Sequence, residues 1–228
     1  MNNNLIKLYK SLYLTRFVEE TISKNYSKGQ MRCPVHLSIG QEACATGLIE
    51  NLKKTDKLFS NHRCHAHYLA KGGNLRKMLS EIYGKNNGCV GGVGGSMHLQ
   101  DQSVGMVSSI PIVSSAMGMA TGNALYQKRN NLNEITVIYC GDASLEEGIF
   151  FECANFATTH SSSSAMKRDD VDLNCEIDRY IMVTLLERER DVVRGKADVL
   201  RATSGKISSA LEKERKSLKS KSGKENKK

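Results

Sequence analysis

The sequence predicts an α/β fold, a parallel sheet flanked by helices, and three observations carry that prediction. A β-branched run, Ile135-Thr136-Val137-Ile138, has the length and composition of a buried strand. It stops at Gly141-Asp142-Ala143, after which Ile149, Phe150, Cys153 and Ala154 recur at helical spacing. Upstream, between residues 56 and 160, glycine-rich loops alternate with helical patterns, the rhythm of parallel-sheet proteins. A strand that ends in a Gly-Asp turn puts a carboxylate at the carboxyl end of the sheet. Open α/β folds bind ligands there, with helix N-termini close by to hold phosphate. A hard cation such as Mg²⁺ can join that carboxylate to a diphosphate.

The elements follow in order. Residues 1–55 read as helical. MNNNLIKLYKSLYLTRF is predicted to form an amphipathic helix with Leu5, Leu8, Leu12 and Leu14 or Phe17 on its apolar side. Gln41-Glu42-Ala43 starts the next helix after a turn at Gly40, with Gln41 and Glu42 in structural roles. Helices are expected at 75–83 and 116–127, and a strand at 135–140. GGVGGSMH (91–98) reads as a flexible glycine loop; no strand clearly precedes it, so it is not a dinucleotide fingerprint. The serine run Ser161 to Ser164 has linker composition and divides a domain at 1–160 from a divergent, partly helical, basic tail at 161–228. In that tail YIMVTLL (180–186) fits a strand or the start of a helix. Residues 187–218 favour helix, broken at Gly195 and Gly205, and KSKSGKENKK is too poor in apolar residues to build a core. There is no internal repeat.

A chain of 228 residues holds one α/β domain and a small appendage. Its 39% hydrophobic and 25% charged residues are ordinary for a globular protein. The net charge of +9 is concentrated in the terminal LEKERKSLKSKSGKENKK, so the pI near 9.2 describes a tail and not a basic face. No nucleic-acid partner is expected. Seven cysteines, an odd number with no C-x-x-C pair, suit structural thiols in a reducing compartment. The first residues lack the pattern of a signal peptide, and no apolar run reaches membrane-spanning length. A cytoplasmic protein with no membrane partner is the expectation.

Five segments in series carry more: CPVHLSIGQEACATGL (33–48), HRCHAHYLAKGG (62–73), YGKNNGCVGGVGGSMHL (83–99), GMVSSIPIVSSAMGMATGNAL (105–125) and GDASLEEGIFFECANFA (141–157). From about Leu5 to about His160 the chain resembles the alpha subunit of thiamine-diphosphate-dependent 2-oxo acid dehydrogenases, the pyruvate and acetoin dehydrogenase type. The resemblance implies a thiamine-diphosphate-binding fold, here its diphosphate-binding half. It implies an oxidoreductase subunit for oxidative decarboxylation of pyruvate or a related 2-oxo acid, with acyl transfer to a lipoyl carrier. The cofactors implied are thiamine diphosphate, which supplies the carbanion chemistry, and Mg²⁺.

By the same resemblance Asp142 is a Mg²⁺ ligand, and the backbone at Gly141 and Ala143 lies against the diphosphate. His62 and Arg63 contact the diphosphate, Arg63 through a planar fork suited to phosphate. Ile112 and Val113 hold the aminopyrimidine ring through backbone groups, although a β-branched pair equally suits core packing. His36 is the catalytic histidine near the reacting carbon, a hydrogen-bond donor tunable near neutral pH. Most relatives carry glycine where Ala143 stands; alanine is tolerable unless the turn needs positive φ. His62, His65 and His67 also have the spacing of a zinc site, a rival to the family role, while His67 alone reads as surface or packing. The implied partners are a beta subunit, in an α2β2 assembly where it supplies the glutamate that activates the aminopyrimidine, and a lipoyl acyltransferase.

After His160 the resemblance stops. The family continues into a hydrophobic strand ending in Glu-Asn-Asn, whose asparagine is the second Mg²⁺ ligand. The equivalent positions here fall near Asp170 and Val171 with no apolar strand before them, and Asn174 is the nearest asparagine. The isolated chain is therefore expected to be inactive. The alternative is a truncated, non-catalytic paralogue or aberrant gene product that lacks a complete cofactor site.

Overall fold

Four short strands pair into one all-parallel sheet in the computed structural model, which describes residues 3–161 and 180–184. They are β1 (Lys57–Ser60), β2 (Met106–Ser109), β3 (Thr136–Cys140) and β4 (Tyr180–Thr184), in the order β2-β1-β3-β4. Ser60 pairs with Ser109, Phe59 with Ile138, and Cys140 with Thr184. The helices are α1 (Asn3–Tyr26), α2 (Glu42–Ile49), α3 (His65–Ala70), α4 (Leu75–Ile82), α5 (Ser115–Arg129) and α6 (Gly148–Ser161). The expected parallel sheet with flanking helices is the observed architecture.

β3 shows why. All its residues are buried, which requires cover on both faces of the sheet. Successive side chains alternate between those faces. Val137 and Tyr139 join Leu58 and Met106 in one core with Tyr68 of α3 and Met78 and Ile82 of α4. Ile138 and Cys140 join Phe59 in a second core with Ala116, Met117 and Ala120 of α5, against which Phe150 and Cys153 of α6 pack. Burying each large apolar side chain contributes roughly 1.5–3 kcal/mol. The Cβ-sized residues on α5 let that helix lie close to the sheet.

Several expectations are corrected. Residues 1–55 are not helical throughout: α1 ends at Tyr26 and α2 begins at Glu42, with turns of positive φ at Gly29 and Gly40 between them. α2 does start where Gln41-Glu42 indicated. The apolar side of α1 is not the leucine line, since Leu5, Leu14 and Phe17 are exposed, Phe17 by 57%. The buried face runs through Thr15, Val18, Glu19 and Ile22. It includes a carboxylate because α3 offers Glu19 a partner, His65. β1 and β2 were not anticipated; four residues such as KLFS or MVSS carry too little alternation to be recognised. At 180–186, where two readings stood open, the structure has a strand, β4, parallel to β3. It follows Asp170 and Val171 rather than preceding them. The Ser161–Ser164 boundary beyond Ser161, the remaining tail, Asp170, Val171 and Asn174 lie outside the described residues. The described cysteines are free thiols, and no described helix is long and apolar enough to cross a membrane.

Candidate functional site

Parallel strands in register end on one edge of the sheet, and loops at such an edge meet. Leaving β1, the chain runs Ser60-Asn61-His62-Arg63. Leaving β2, it runs through Pro111 to Ile112 and Val113, and leaving β3 it enters Gly141-Asp142-Ala143. Seven of the eight sequence-predicted site residues therefore follow the carboxyl ends of three adjacent strands. The eighth, His36, arrives from the connection between α1 and α2, and its ring lies 5.0 Å from that of His62, edge to face at 84°.

The β2 and β3 loops are tied together. The Ser114 hydroxyl donates to the Ser144 carbonyl at 2.9 Å. Ser114 stands at φ 62, a left-handed conformation that costs a non-glycine residue about 1–2 kcal/mol. Ile112 and Val113 are 70% and 51% exposed, so they are not core residues, and the Ile112 carbonyl accepts from the Ser115 N–H and hydroxyl. Residues 142–145 form a short 3₁₀ turn. The described non-glycine residues of positive φ are Ser114 and Asn131, so the turn accepts alanine at 143. Gly141, at φ −77, has open space around it.

The electrostatics are set mainly by burial. Partial burial lowers the His62 pKa below its usual value, and the neighbouring His36 and Arg63 add to the effect. Arg63 is fixed at both ends. Its backbone N–H donates to Asn61 Oδ1 at 2.9 Å, its carbonyl accepts from the Ser38 hydroxyl at 3.0 Å, and Nη1 donates to the Leu37 carbonyl. The guanidinium retains further donors beyond that one. His36 Nδ1 is buried with no hydrogen-bond partner among the described residues.

The rival zinc arrangement is not assembled. His65 points between Glu19 and Ser96, while His67 stacks on Tyr139 at 3.8 Å with Nδ1 2.7 Å from Ser60 Oγ. Burial pushes the His67 pKa down to about 3, as befits a packing residue. Among the described residues no group of three or more His, Cys, Asp or Glu is placed to hold a metal.

Residues 91–98 are not a free loop. The buried Glu81 carboxylate accepts the backbone N–H groups of Val90, Gly92, Gly94 and Gly95 at 2.7–3.2 Å. Burial alone would raise its pKa; the N–H bonds outweigh burial and hold it low. A Cβ at Gly88 would sit 2.2 Å from this carboxylate, so glycine there is a packing requirement. Glu81, Ser114 and the Glu19–His65–Ser96 set were missed in the sequence. Their partners in these contacts lie 9 to 46 positions away along the chain, and no local pattern marks them.

Comparison with known proteins bears on the family of the chain. The family model for the dehydrogenase E1 component matches residues 9–167. The pyruvate dehydrogenase E1 component subunit alpha-3 of Arabidopsis thaliana chloroplasts is 36% identical over 161 residues, 68% of this chain and 38% of the relative. The alpha subunit of acetoin:2,6-dichlorophenolindophenol oxidoreductase from Cupriavidus necator is 35% identical over 67% of this chain and 46% of the relative. The mitochondrial pyruvate dehydrogenase E1 alpha subunit of Chaetomium thermophilum is 30% identical over 81% of this chain, a span that runs past His160. The chain thus spans less than half the length of these curated relatives. A match that covers β1, β2, β3 and the loops that follow them places the chain in a family: it belongs to the dehydrogenase E1 component family.

Proposed function

We propose that this chain forms the diphosphate-binding part of a thiamine-diphosphate-dependent 2-oxo acid dehydrogenase alpha subunit. The observation that carries the proposal is the convergence of the β1, β2 and β3 carboxyl ends, with the β2 and β3 loops locked by Ser114 and Ser144. The residues present suit the cofactor's charged end. Arg63 has guanidinium donors to spare, and His36 Nδ1, buried without a partner among the described residues, calls for a polar ligand atom beside His62. Arg63 and His62 would hold the diphosphate, with the Gly141 and Ala143 backbone against it. Asp142 would anchor it through Mg²⁺. Ile112 and Val113 would offer backbone groups to the aminopyrimidine.

When bound, thiamine diphosphate supplies the carbanion chemistry of decarboxylation. The chain's own residues bind and orient. His36 donates a hydrogen bond at the reacting end, and His62, with its depressed pKa, stays uncharged beside it near neutral pH. Pyruvate or a related 2-oxo acid is the proposed substrate, a beta subunit the proposed partner in an α2β2 assembly, and a lipoyl acyltransferase the acceptor of the acyl group. The cytoplasm is the proposed location.

A second reading, a non-catalytic paralogue, is favoured by one observation: the family model stops at residue 167, although the Chaetomium thermophilum relative aligns over 184 residues of this chain. Assays of turnover and binding separate the two. The purified chain alone is expected to decarboxylate no pyruvate, and adding a beta subunit is expected to raise its affinity for thiamine diphosphate. Turnover by the chain alone, above a no-enzyme control, contradicts the division of labour proposed here. A chain that binds no cofactor with or without a beta subunit is the paralogue.

A further inference from the structure

Residues 32–41 carry His36 between α1 and α2 in no helix or strand, so no backbone ladder holds that histidine in place. Side chains hold it instead, at consecutive residues. The His36 N–H donates to Ser96 Oγ at 3.4 Å, the Leu37 carbonyl accepts from Arg63, and the Ser38 N–H donates to Glu19 Oε1 at 3.3 Å. Two of these holders are joined through His65. Its Nε2 lies 2.8 Å from Ser96 Oγ, and its Nδ1 lies 3.1 and 3.2 Å from the oxygens of Glu19. Glu19, His65 and Ser96 are each 0% exposed.

One arrangement of protons satisfies every member. The Glu19 carboxylate accepts the His65 Nδ1–H, His65 Nε2 accepts the Ser96 hydroxyl, and the Ser96 oxygen accepts the His36 N–H. The opposite tautomer would set a bare Nδ1 lone pair against a carboxylate, which is repulsive. The sequence Ser, His, carboxylate is that of a hydrolase triad, but a fully buried Ser96 Oγ meets no substrate. Its hydroxyl is spent on structure that leads to His36.

We propose that Glu19, His65 and Ser96 are positioning residues for His36. They form a buried chain of hydrogen bonds that fixes the His36 backbone and so sets its imidazole against His62. The chemical role of His36 rests on the function proposed above; the positioning does not need the cofactor. A satisfied buried network specifies one geometry, whereas losing one member releases it.

Ring ¹H–¹⁵N spectra of the full chain test this without cofactor, because its six histidines can be followed separately. Ser96→Ala removes one buried oxygen and adds no bulk. The expected result is a shift of the His36, His62 and His65 ring signals, with His160 unmoved. Glu19→Gln is expected to move the same three, since Glu19 holds both His65 and Ser38. Thr136→Val is the control: that hydroxyl is also buried, on Asn123 and Gln127 and away from this network, so its loss lowers the melting temperature but leaves His36 and His62 in place. Unmoved His36 and His62 signals in both test variants, or equal movement in Thr136→Val, overturn the proposal. If Ser96→Ala does not fold, Glu19→Gln decides by the same criterion. Failure of the unmodified chain to bind thiamine diphosphate would sink the functional reading and leave this one standing.

Discussion

At His67, a single buried imidazole couples stability to pH. Its pKa of about 3 lies below the unfolded value, so the unfolded chain takes up the proton first as pH falls. Its contribution is fully present above about pH 6.5 and is lost at about 1.4 kcal/mol per pH unit between 6.5 and 3. His67→Phe keeps a ring on Tyr139 and leaves the Ser60 hydroxyl its Asn61 carbonyl, but titrates nothing. Urea midpoints at about pH 7 and about pH 5.5 should therefore differ less in His67→Phe than in the unmodified chain; equal differences would show that His67 is not the titrating group. Arg63→Ala should weaken thiamine diphosphate binding by about 1.5–3 kcal/mol, the value of a charge-assisted hydrogen bond, read from dissociation constants. The strand-end position of Asp142 was legible because the β-branched run before it stops at Gly141, whereas His62 and Arg63 stood out only by their motif. Glu19 was not, since a carboxylate on a helix reads as solvent-facing until its partner 46 residues away is known.

At the scale of elements, glycine loops owe their shape to single side chains. Glu81→Ala would strand the N–H groups of Val90, Gly92, Gly94 and Gly95, each costing about 1–3 kcal/mol if it stays dry. Water entry and relaxation reduce the sum, so a loss of about 3 kcal/mol or more in denaturant unfolding is expected. A loss under about 1 kcal/mol would mean that the loop holds without the carboxylate. Ser114 sets two effects against each other. Ser114→Ala and Ser114→Gly both lose the bond to Ser144, but only glycine relieves the left-handed φ of 62. Ser114→Gly should therefore be more stable than Ser114→Ala by about 1 kcal/mol, checked by thermal melting. β3 was legible from its β-branched run, and α4 and α5 from their spacing. β1 and β2 were not, because their strand character comes from pairing with β3 and with each other rather than from four residues of sequence. On α1 the leucines misled, since the contact face was set by α2 and α3.

The whole molecule joins these scales through one geometric fact. An all-parallel sheet sends the ends of β1, β2 and β3 to the same edge, and the His36 segment is clamped there by side chains from α1, the glycine loop and the β1 loop. The fold class and the loop after β3 could be read from order and composition. The clamp could not, because it depends on contacts between segments separated by 19 to 60 residues. In the proposed function this edge holds a diphosphate through a cation anchored at Asp142. Calorimetric titration of thiamine diphosphate into the full chain, with Mg²⁺ and with a chelator in its place, tests it most directly when repeated on Asp142→Ala. The prediction is saturable binding that requires Mg²⁺ and disappears in Asp142→Ala, because a methyl group cannot coordinate a hard cation. Equal affinity in Asp142→Ala, or binding indifferent to Mg²⁺, would contradict it.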